Sequence, residues 1–554
     1  MNLENIKIFL DTIFSFNYKQ PLLFTQFYFW FFFAVVFALF SLLRNKILMR
    51  NTFLFFASLF FYYKTSGLFV LLLFITVVYG FFIGKGIDKT NSARNRKLLL
   101  ALGVVLNLGV LFYFKYAYFF TDVYNSIFNS NLHVINWLAK WANGFFDTEK
   151  FDVGKIILPV GISFFTFQNI SYIVDIYRKK IKPVQNVLDY GFYLTFFPQL
   201  VAGPIVRADV FIPQLHKKYF LSKRQFGIAI FWILNGLLKK IILSDYLAVN
   251  YIDRVFSNPM LFTGFENLMA LFVYSLQVYA DFSGYTDIAI GVAMIMGFYL
   301  PKNFNSPYKA TNASDFWRRW HISLSQWLRD YLYIPLGGNR HGKLMTNVNL
   351  MTTMLLGGMW HGASWNFIIW GGLNGIGVVV YKYWRKMTSL QRVLFSMTLF
   401  VIIITLHIIF GGPLFMLGRV WVSVIFFSVL IRYCFSEWLH FGKIEQLDRI
   451  WGITQTFVFI SFTRLFFRSG SNLPPAEANA TAWQTAKNMV TRIGGKWDLS
   501  IIPQIVTEYR NVFLVFLIGM IIHWLPEDWK RRYRIIFASM PLWATALIVV
   551  AAVF

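Results

Sequence analysis

The chain has 554 residues, of which 57% are hydrophobic and only 14% charged. A soluble domain carries nearer a quarter charged residues, so a fold whose whole surface meets water is excluded. Lysine and arginine number 52 against 25 acidic residues, a formal charge of +27. The basic residues sit in short loops between apolar blocks, which is the positive-inside arrangement of a membrane protein, so no nucleic acid is implied.

In chain order, apolar blocks at 27–43, 68–83, 98–120, 393–410 and 512–522 approach the roughly 20 residues that cross about 30 Å of hydrocarbon, or fall short as tilted and re-entrant pieces do. The first is preceded by a polar stretch and followed by no small-residue cleavage site, which predicts a retained span and not a signal peptide. Arg44, Lys46 and Arg50 put the next loop in the cytoplasm and the N-terminus outside. The segments flanking 63–67 then run out and back to a second basic loop with Lys85, Lys89, Arg94, Arg96 and Lys97. Residues 121–155 mix acids and bases, as an external loop does, and Arg178, Lys179, Lys180 and Lys182 follow inside. Residues 469–510, nearly balanced in charge, are expected outside. Lys530, Arg531, Arg532 and Arg534 mark an internal loop, after which the last block leaves the C-terminus outside. The single cysteine, Cys434, lies in an apolar run, so no disulfide forms within one chain and packing is its expected role.

Residues 185–375 differ from their flanks. Pro198, Pro204, Asp281, Asp287, Pro301, Pro335 and His361 interrupt the apolar stretches. Broken helices and polar groups at membrane depth are tolerated inside protein or beside a wet cavity. No repeat of fixed period is present, which weighs against transporters built from duplicated halves. Ser283 is positioned to cap a helix starting near Gly284, with Asp287 in its first turn. The carboxylate of Asp281 can instead orient a histidine or pair with an arginine such as Arg207.

The stretch 315–331 is amphipathic. Phe316, Trp317, Trp320, Leu324, Trp327, Leu328 and Tyr331 share a stripe, Arg318, Arg319, Ser325 and Arg329 lie opposite, and His321 is on the border. One helix capped by Ser314 and lying in the cytoplasmic interface is predicted, serving as an anchor or as a phosphate-binding face through Arg318 and Arg319. The basic turn around Arg340 lacks the spacing of a Walker A loop. Further on, Trp360-His-Gly-Ala-Ser-Trp-Asn366 places His361 between apolar segments. A histidine there is either hydrogen-bonded in the core or functional, and its neutral form can take a proton from a hydroxyl near pH 7. There is no G-x-S-x-G elbow around Ser364 and no H-E-x-x-H zinc signature, so neither a serine hydrolase triad nor a metal site is expected.

Taken together, Phe196-Phe-Pro-Gln-Leu-Val-Ala-Gly-Pro-Ile-Val-Arg207, Asp281-Phe-Ser-Gly-Tyr-Thr-Asp287, the 316–331 stretch, Tyr333-Ile-Pro-Leu-Gly-Gly-Asn-Arg340, the 360–366 motif and Leu465-Phe-Phe-Arg468 resemble the membrane-bound O-acyltransferase family, in the bacterial branch that contains alginate O-acetyltransferase. The resemblance covers most of 150–470. It departs at Thr463-Arg464-Leu465, where relatives usually have an aromatic residue, and it leaves 469–554 unmatched.

The resemblance implies an all-α, polytopic fold with tilted and re-entrant helices around a transmembrane tunnel, in a bacterial plasma (inner) membrane. Residues 1–150 would form N-terminal spans, 151–470 the catalytic core, 471–510 an extracytoplasmic loop and 511–554 the last spans. His361 matches the family's active-site histidine and His321 its second, more variable one. Donor-binding or supporting roles fall to Arg318, Arg319, Arg340, Asp281, Trp360, Asn366, Gln199 and Pro204. The implied reaction moves an acetyl group from a cytosolic thioester, acetyl-CoA or a carrier-protein thioester, to a hydroxyl of an exported polysaccharide. An extracytoplasmic SGNH-type acetyltransferase or polysaccharide secretion proteins would act as partners, and no bound cofactor is implied. His361 would act as base or as acyl carrier. Transfer of D-alanine or a long acyl chain, a transporter and a secretion scaffold are the alternatives.

Overall fold

The computed structural model describes residues 15–17, 21–435, 445–471 and 478–553, and no strand occurs among them. Residues 1 and 554, whose side of the membrane the loop charges address, lie outside the described residues. Among the described residues, six helical runs are long and apolar enough to cross a membrane: Ile47–Lys89, Ala93–Phe128, Lys223–Ser257, Ser389–Phe410, Pro413–Tyr433 and Glu445–Ser469. Two further apolar pairs are sharply bent, Leu499–Glu508 with Arg510–Trp524 by 81° and Glu527–Ser539 with Leu542–Val550 by 114°. Each bent pair is a broken span or a re-entrant loop by length and composition. The 27–43 block is a helix of 17 residues, Phe27–Leu43. In Pro413–Tyr433 none of the most apolar stretch is buried inside the protein, and Leu414, Val420, Val424, Phe427 and Ile431 are exposed. Such a surface is stable only against hydrocarbon.

Local chemistry fixes where several helices begin. Ser222 accepts the Gln225 amide while Gln225 Oε1 accepts the Ser222 amide, at 3.2 and 2.9 Å. Thr388 and Gln391 repeat this reciprocal cap at 3.3 and 3.0 Å. The run Ile47–Lys89 is interrupted at Gly67, whose φ of 63° suits glycine, and a Cβ there would stand 2.8 Å from the Phe16 ring.

Two compact units divide the chain, the first formed by residues 1–241, 282–303 and 526–554, the second by 242–281 and 304–525. In the first, Arg50 is buried and donates to the carbonyls of Leu215 and Lys217 at 2.6 and 3.1 Å, and Asn51 donates to Asp189 at 3.1 Å. Gln199 and Pro204 are buried in this unit, and the Gln199 amide donates to the Tyr193 carbonyl at 2.9 Å.

The break expected at Ser283 is absent. Gly264–Ile295 is one continuous helix of 32 residues, so Asp281 and Asp287 lie within it and neither is in a first turn. Asp287 is held there by Lys239 at 2.7 Å and Asn235 at 2.6 Å. A charged pair buried at this depth replaces the dipole of a helix start as the reason the carboxylate is tolerated.

Removing one member of that pair should destabilise strongly. Lys239→Met leaves the Asp287 carboxylate uncompensated, an effect of about 3–5 kcal/mol, whereas Lys239→Met combined with Asp287→Leu should recover most of it. Thermal unfolding in detergent measures both, and a double variant as unstable as the single one would contradict the pairing.

Candidate active site

The site belongs to the second unit. Residues 315–331 do not form one helix. Ala313–Arg319 and Ile322–Leu328 are separate short helices, and the first is capped by Asn312, which accepts the Asp315 amide at 2.8 Å, and not by Ser314. The break falls at His321, whose φ of 41° is left-handed. That conformation costs a non-glycine residue about 1–2 kcal/mol. Packing around the break offsets it. Phe316, Trp320, Leu324 and Trp327 are buried against protein, and Asn305 donates to the Arg319 carbonyl at 2.9 Å. His321 is therefore not a border residue but is turned inward, 1% exposed.

His361 is the last residue of Gly342–His361, which is followed after a three-residue connection by Trp365–Trp384. The two helices approach closely because glycines face each other. A Cβ on Gly358 would stand 2.3 Å from the Phe367 carbonyl oxygen and 3.0 Å from the Gly371 Cα, and one on Gly371 would stand 2.4 Å from the Met354 carbonyl oxygen. Three aromatic rings then surround the imidazole, Trp360 at 4.8 Å, Trp370 at 5.0 Å and Phe467 at 5.1 Å, all edge-on. Trp360 also lies 6.0 Å from the His321 ring. The two histidines thus meet across one tryptophan. His361 is half-buried and lines a cavity of about 280 Å³ together with Trp317, Leu324, Leu328, Met354 and Trp370. Arg329 and Tyr333 line the same cavity, and Arg329 is exposed.

The other residues marked by the sequence are more scattered. Arg319 binds both oxygens of Asp315 at 3.0 Å, so part of its donor set is held within its own helix. Arg318 is exposed, its Nε 3.4 Å from the Ser314 carbonyl oxygen, and Arg340 is exposed in the turn before Gly342. Asn366 is buried in the first turn of Trp365–Trp384, and Asp281 is half-buried in the long helix. Among the described residues, no three His, Cys, Asp or Glu side chains are grouped as metal ligands.

Three participants were not singled out from the sequence. Trp370 and Phe467 complete the ring around His361. Arg464, in the segment that departs from the resembling pattern, is 1% exposed with its Cζ 4.0 Å over the Trp320 ring. A charge inside an apolar span was the signal available for Arg464.

Residues 178–421 match the family described as MBOAT, membrane-bound O-acyltransferase. A probable alginate O-acetylase AlgI of Pseudomonas putida is 34% identical over 448 residues, which cover 78% of this chain and 86% of the relative. The corresponding protein of Azotobacter vinelandii is 41% identical over 345 residues, 62% of this chain and 64% of the relative. A peptidoglycan O-acetyltransferase of Helicobacter pylori is 37% identical over 358 residues, 60% and 64% of the two chains. The chain thus spans less than two thirds of the last two relatives.

The glycine contact gives a test of the site's scaffold. Gly371→Ala should destabilise by about 1–3 kcal/mol because the added carbon meets backbone, whereas Gly372→Ala meets only the flexible end of Leu355 at 3.3 Å and should be close to neutral. Unfolding temperatures of the two variants in detergent decide this, and equal values would show that the helices are not held this closely.

Proposed function

Since this chain belongs to the membrane-bound O-acyltransferase family, we propose that it moves an acetyl group from a cytosolic thioester, of coenzyme A or of a carrier protein, to a hydroxyl of an exported polysaccharide. The acceptor is alginate-like or a peptidoglycan-like glycan, reached directly or through an extracytoplasmic acetyltransferase partner. The chain is a multi-pass membrane protein, and the charges of its short loops support a plasma-membrane orientation with both termini outside. Residues 151–470 are assigned the catalytic core, 1–150 and 511–554 the flanking spans, and 471–510 an extracytoplasmic segment that includes the helix Ala478–Ile493.

One observation carries the reading: an imidazole held edge-on by three aromatic rings on the wall of a small apolar cavity, with a second histidine one tryptophan away. In the proposed reaction the acceptor oxygen adds to the thioester carbonyl carbon as His361 takes its proton. The tetrahedral adduct then collapses, the C–S bond breaks, and the thiolate leaves with the proton returned by His361. The product is an ester and a free thiol. General base assistance of this kind is worth 10²–10⁴-fold, and the apolar walls limit loss of the thioester to water. His321 is proposed to orient the reacting groups from behind Trp360. Arg318 and Arg340, both exposed, are proposed to meet the donor phosphates, whereas Arg319 and Arg329 have donors held by Asp315 and Asp330.

A cavity of about 280 Å³ is at the low end of the range for ligand sites, which favours a short acyl group over a long chain. His361→Ala is expected to lower acetylation of cell-surface polysaccharide by about 10²–10⁴-fold at unchanged protein level in the membrane, and His321→Asn by less. Acetyl content measured by NMR on isolated polysaccharide reads both. Persistent acetylation in a folded His361→Ala variant would remove the base assignment.

A further inference from the structure

Arg464 lies in the apolar helix Glu445–Ser471, one turn before Arg468. The two differ in what they touch. Arg468 is ion-paired with Asp253, so its charge is answered within the protein. Arg464 is 1% exposed, stacks with its Cζ 4.0 Å over Trp320 and 5.8 Å from Phe467, and no carboxylate pairs with it among the described residues. The Tyr308 hydroxyl gives its own proton to the Ser275 carbonyl and its oxygen accepts from the guanidinium, a neutral partner for one of the five N–H donors. A guanidinium is not deprotonated in proteins. Leaving one buried without an anion costs more than a single cation–π contact returns, and ionisable groups kept at membrane depth serve function by default.

Its neighbours place this charge at the reaction centre. Trp320 precedes His321 in the chain. Phe467 touches both the guanidinium, at 5.8 Å, and the His361 ring, at 5.1 Å. The two steps end to end put Cζ within about 11 Å of that ring, the reach of an imidazole, hydroxyl, carbonyl and guanidinium joined by two hydrogen bonds of about 2.8 Å.

We propose that Arg464 is the oxyanion-binding residue of this site, its stacked guanidinium presenting free N–H donors to a negatively charged oxygen of the reacting substrates. The inference rests on the acyl-transfer reading and deepens it. One source of that oxygen is transient. As the acceptor hydroxyl adds to the thioester carbonyl and its proton goes to His361, the π electrons move to the carbonyl oxygen, and Arg464 holds the resulting O⁻ until collapse expels the thiolate. The other source is permanent, a carboxylate carried by the acceptor sugar. The guanidinium can meet the planar carboxylate with two parallel N–H donors and the single O⁻ of the tetrahedral adduct with one or two.

The test uses full-length protein with Arg464→Gln and Arg464→Lys. The Gln variant is expected to lose about 10²–10³-fold of polysaccharide acetylation, as loss of an oxyanion donor does, while unfolding at or above the wild-type temperature because an unanswered charge has been removed. The Lys variant should recover part of the activity. Thiol release from acetyl-CoA with water as acceptor assigns the source: hydrolysis lost together with transfer points to the transient oxyanion, and hydrolysis retained with transfer lost points to the acceptor carboxylate. Millimolar sodium acetate should raise the unfolding temperature of wild type and not of the Gln variant, a readout that remains if the acyl-transfer reading itself fails. Wild-type acetylation in the Gln variant, equal stabilisation of both proteins by acetate, or activity lost only in proportion to a fall in unfolding temperature overturns the assignment.

Discussion

The close approach of Gly358 to Gly371 is the constraint from which the candidate site follows. Neither residue has a Cβ, so the backbones of Gly342–His361 and Trp365–Trp384 meet where any side chain would collide with a carbonyl oxygen. Small residues at such crossings are how helices pack tightly in a solvent that supplies no hydrophobic drive between them. With the crossing fixed, Trp360, His361 and Trp370 come together near the closed end of the hairpin. A third helix joins in the same way: a Cβ on Gly377 would stand 2.7 Å from the Phe459 ring, and the helix carrying Phe459 also delivers Phe467 and Arg464. Trp317, 5.6 Å from Trp370, ties the segment before His321 to this hairpin. The imidazole is therefore placed by backbone contacts and rings, with little left to side-chain rotation.

The same solvent explains why polar residues inside the helices come with partners. Arg50 is satisfied by two carbonyls, Asp287 by Lys239 and Asn235, Arg468 by Asp253, and Ser275 by the Ser461 hydroxyl at 2.9 Å. Each arrangement removes a charge or dipole that hydrocarbon cannot solvate. Against this background Arg464 stands out by stacking on Trp320 with no carboxylate paired to it among the described residues, and its second ring neighbour, Phe467, also packs on His361.

The sequence made the membrane class legible because long apolar runs and basic loops are composition-level signals. It also marked His361, since a lone imidazole between apolar segments is costly unless it is used. It misread the 315–331 segment because the stripe of Phe316, Trp320, Leu324 and Trp327 satisfies a helical period across a break. The left-handed turn at His321 is paid for by tertiary packing, which periodicity does not register. The helix start expected at Ser283 failed for a related reason: a good capping residue inside Gly264–Ile295 is overridden by neighbours that satisfy Asp287 from another helix. Trp370 was invisible, and Phe467 was marked only as part of the Leu465-Phe-Phe-Arg468 motif, because an aromatic residue in an apolar run carries no sign of which ring it will face.

Cavity size separates the donor classes within the proposed chemistry. The space beside His361 is about 280 Å³ and is bounded by Leu324, Leu328, Met354 and Trp370. A far larger cavity, about 1100 Å³, lies elsewhere in the same unit, lined by Leu417, Trp421, Trp451, Phe462 and Trp497, and neither histidine contributes to it. An enzyme for long acyl chains needs its extended apolar volume to begin at the reacting carbon, since the chain is continuous with the carbonyl under attack. Here the extended volume and the imidazole are lined by different residues. A two-carbon acyl group requires no such continuity: it needs a tight pocket that excludes water while the thioester is exposed to the base. The space around His361 is consistent with the acetyl transfer proposed above, and the larger cavity is walled in part by the helices Ser389–Phe410 and Pro413–Tyr433.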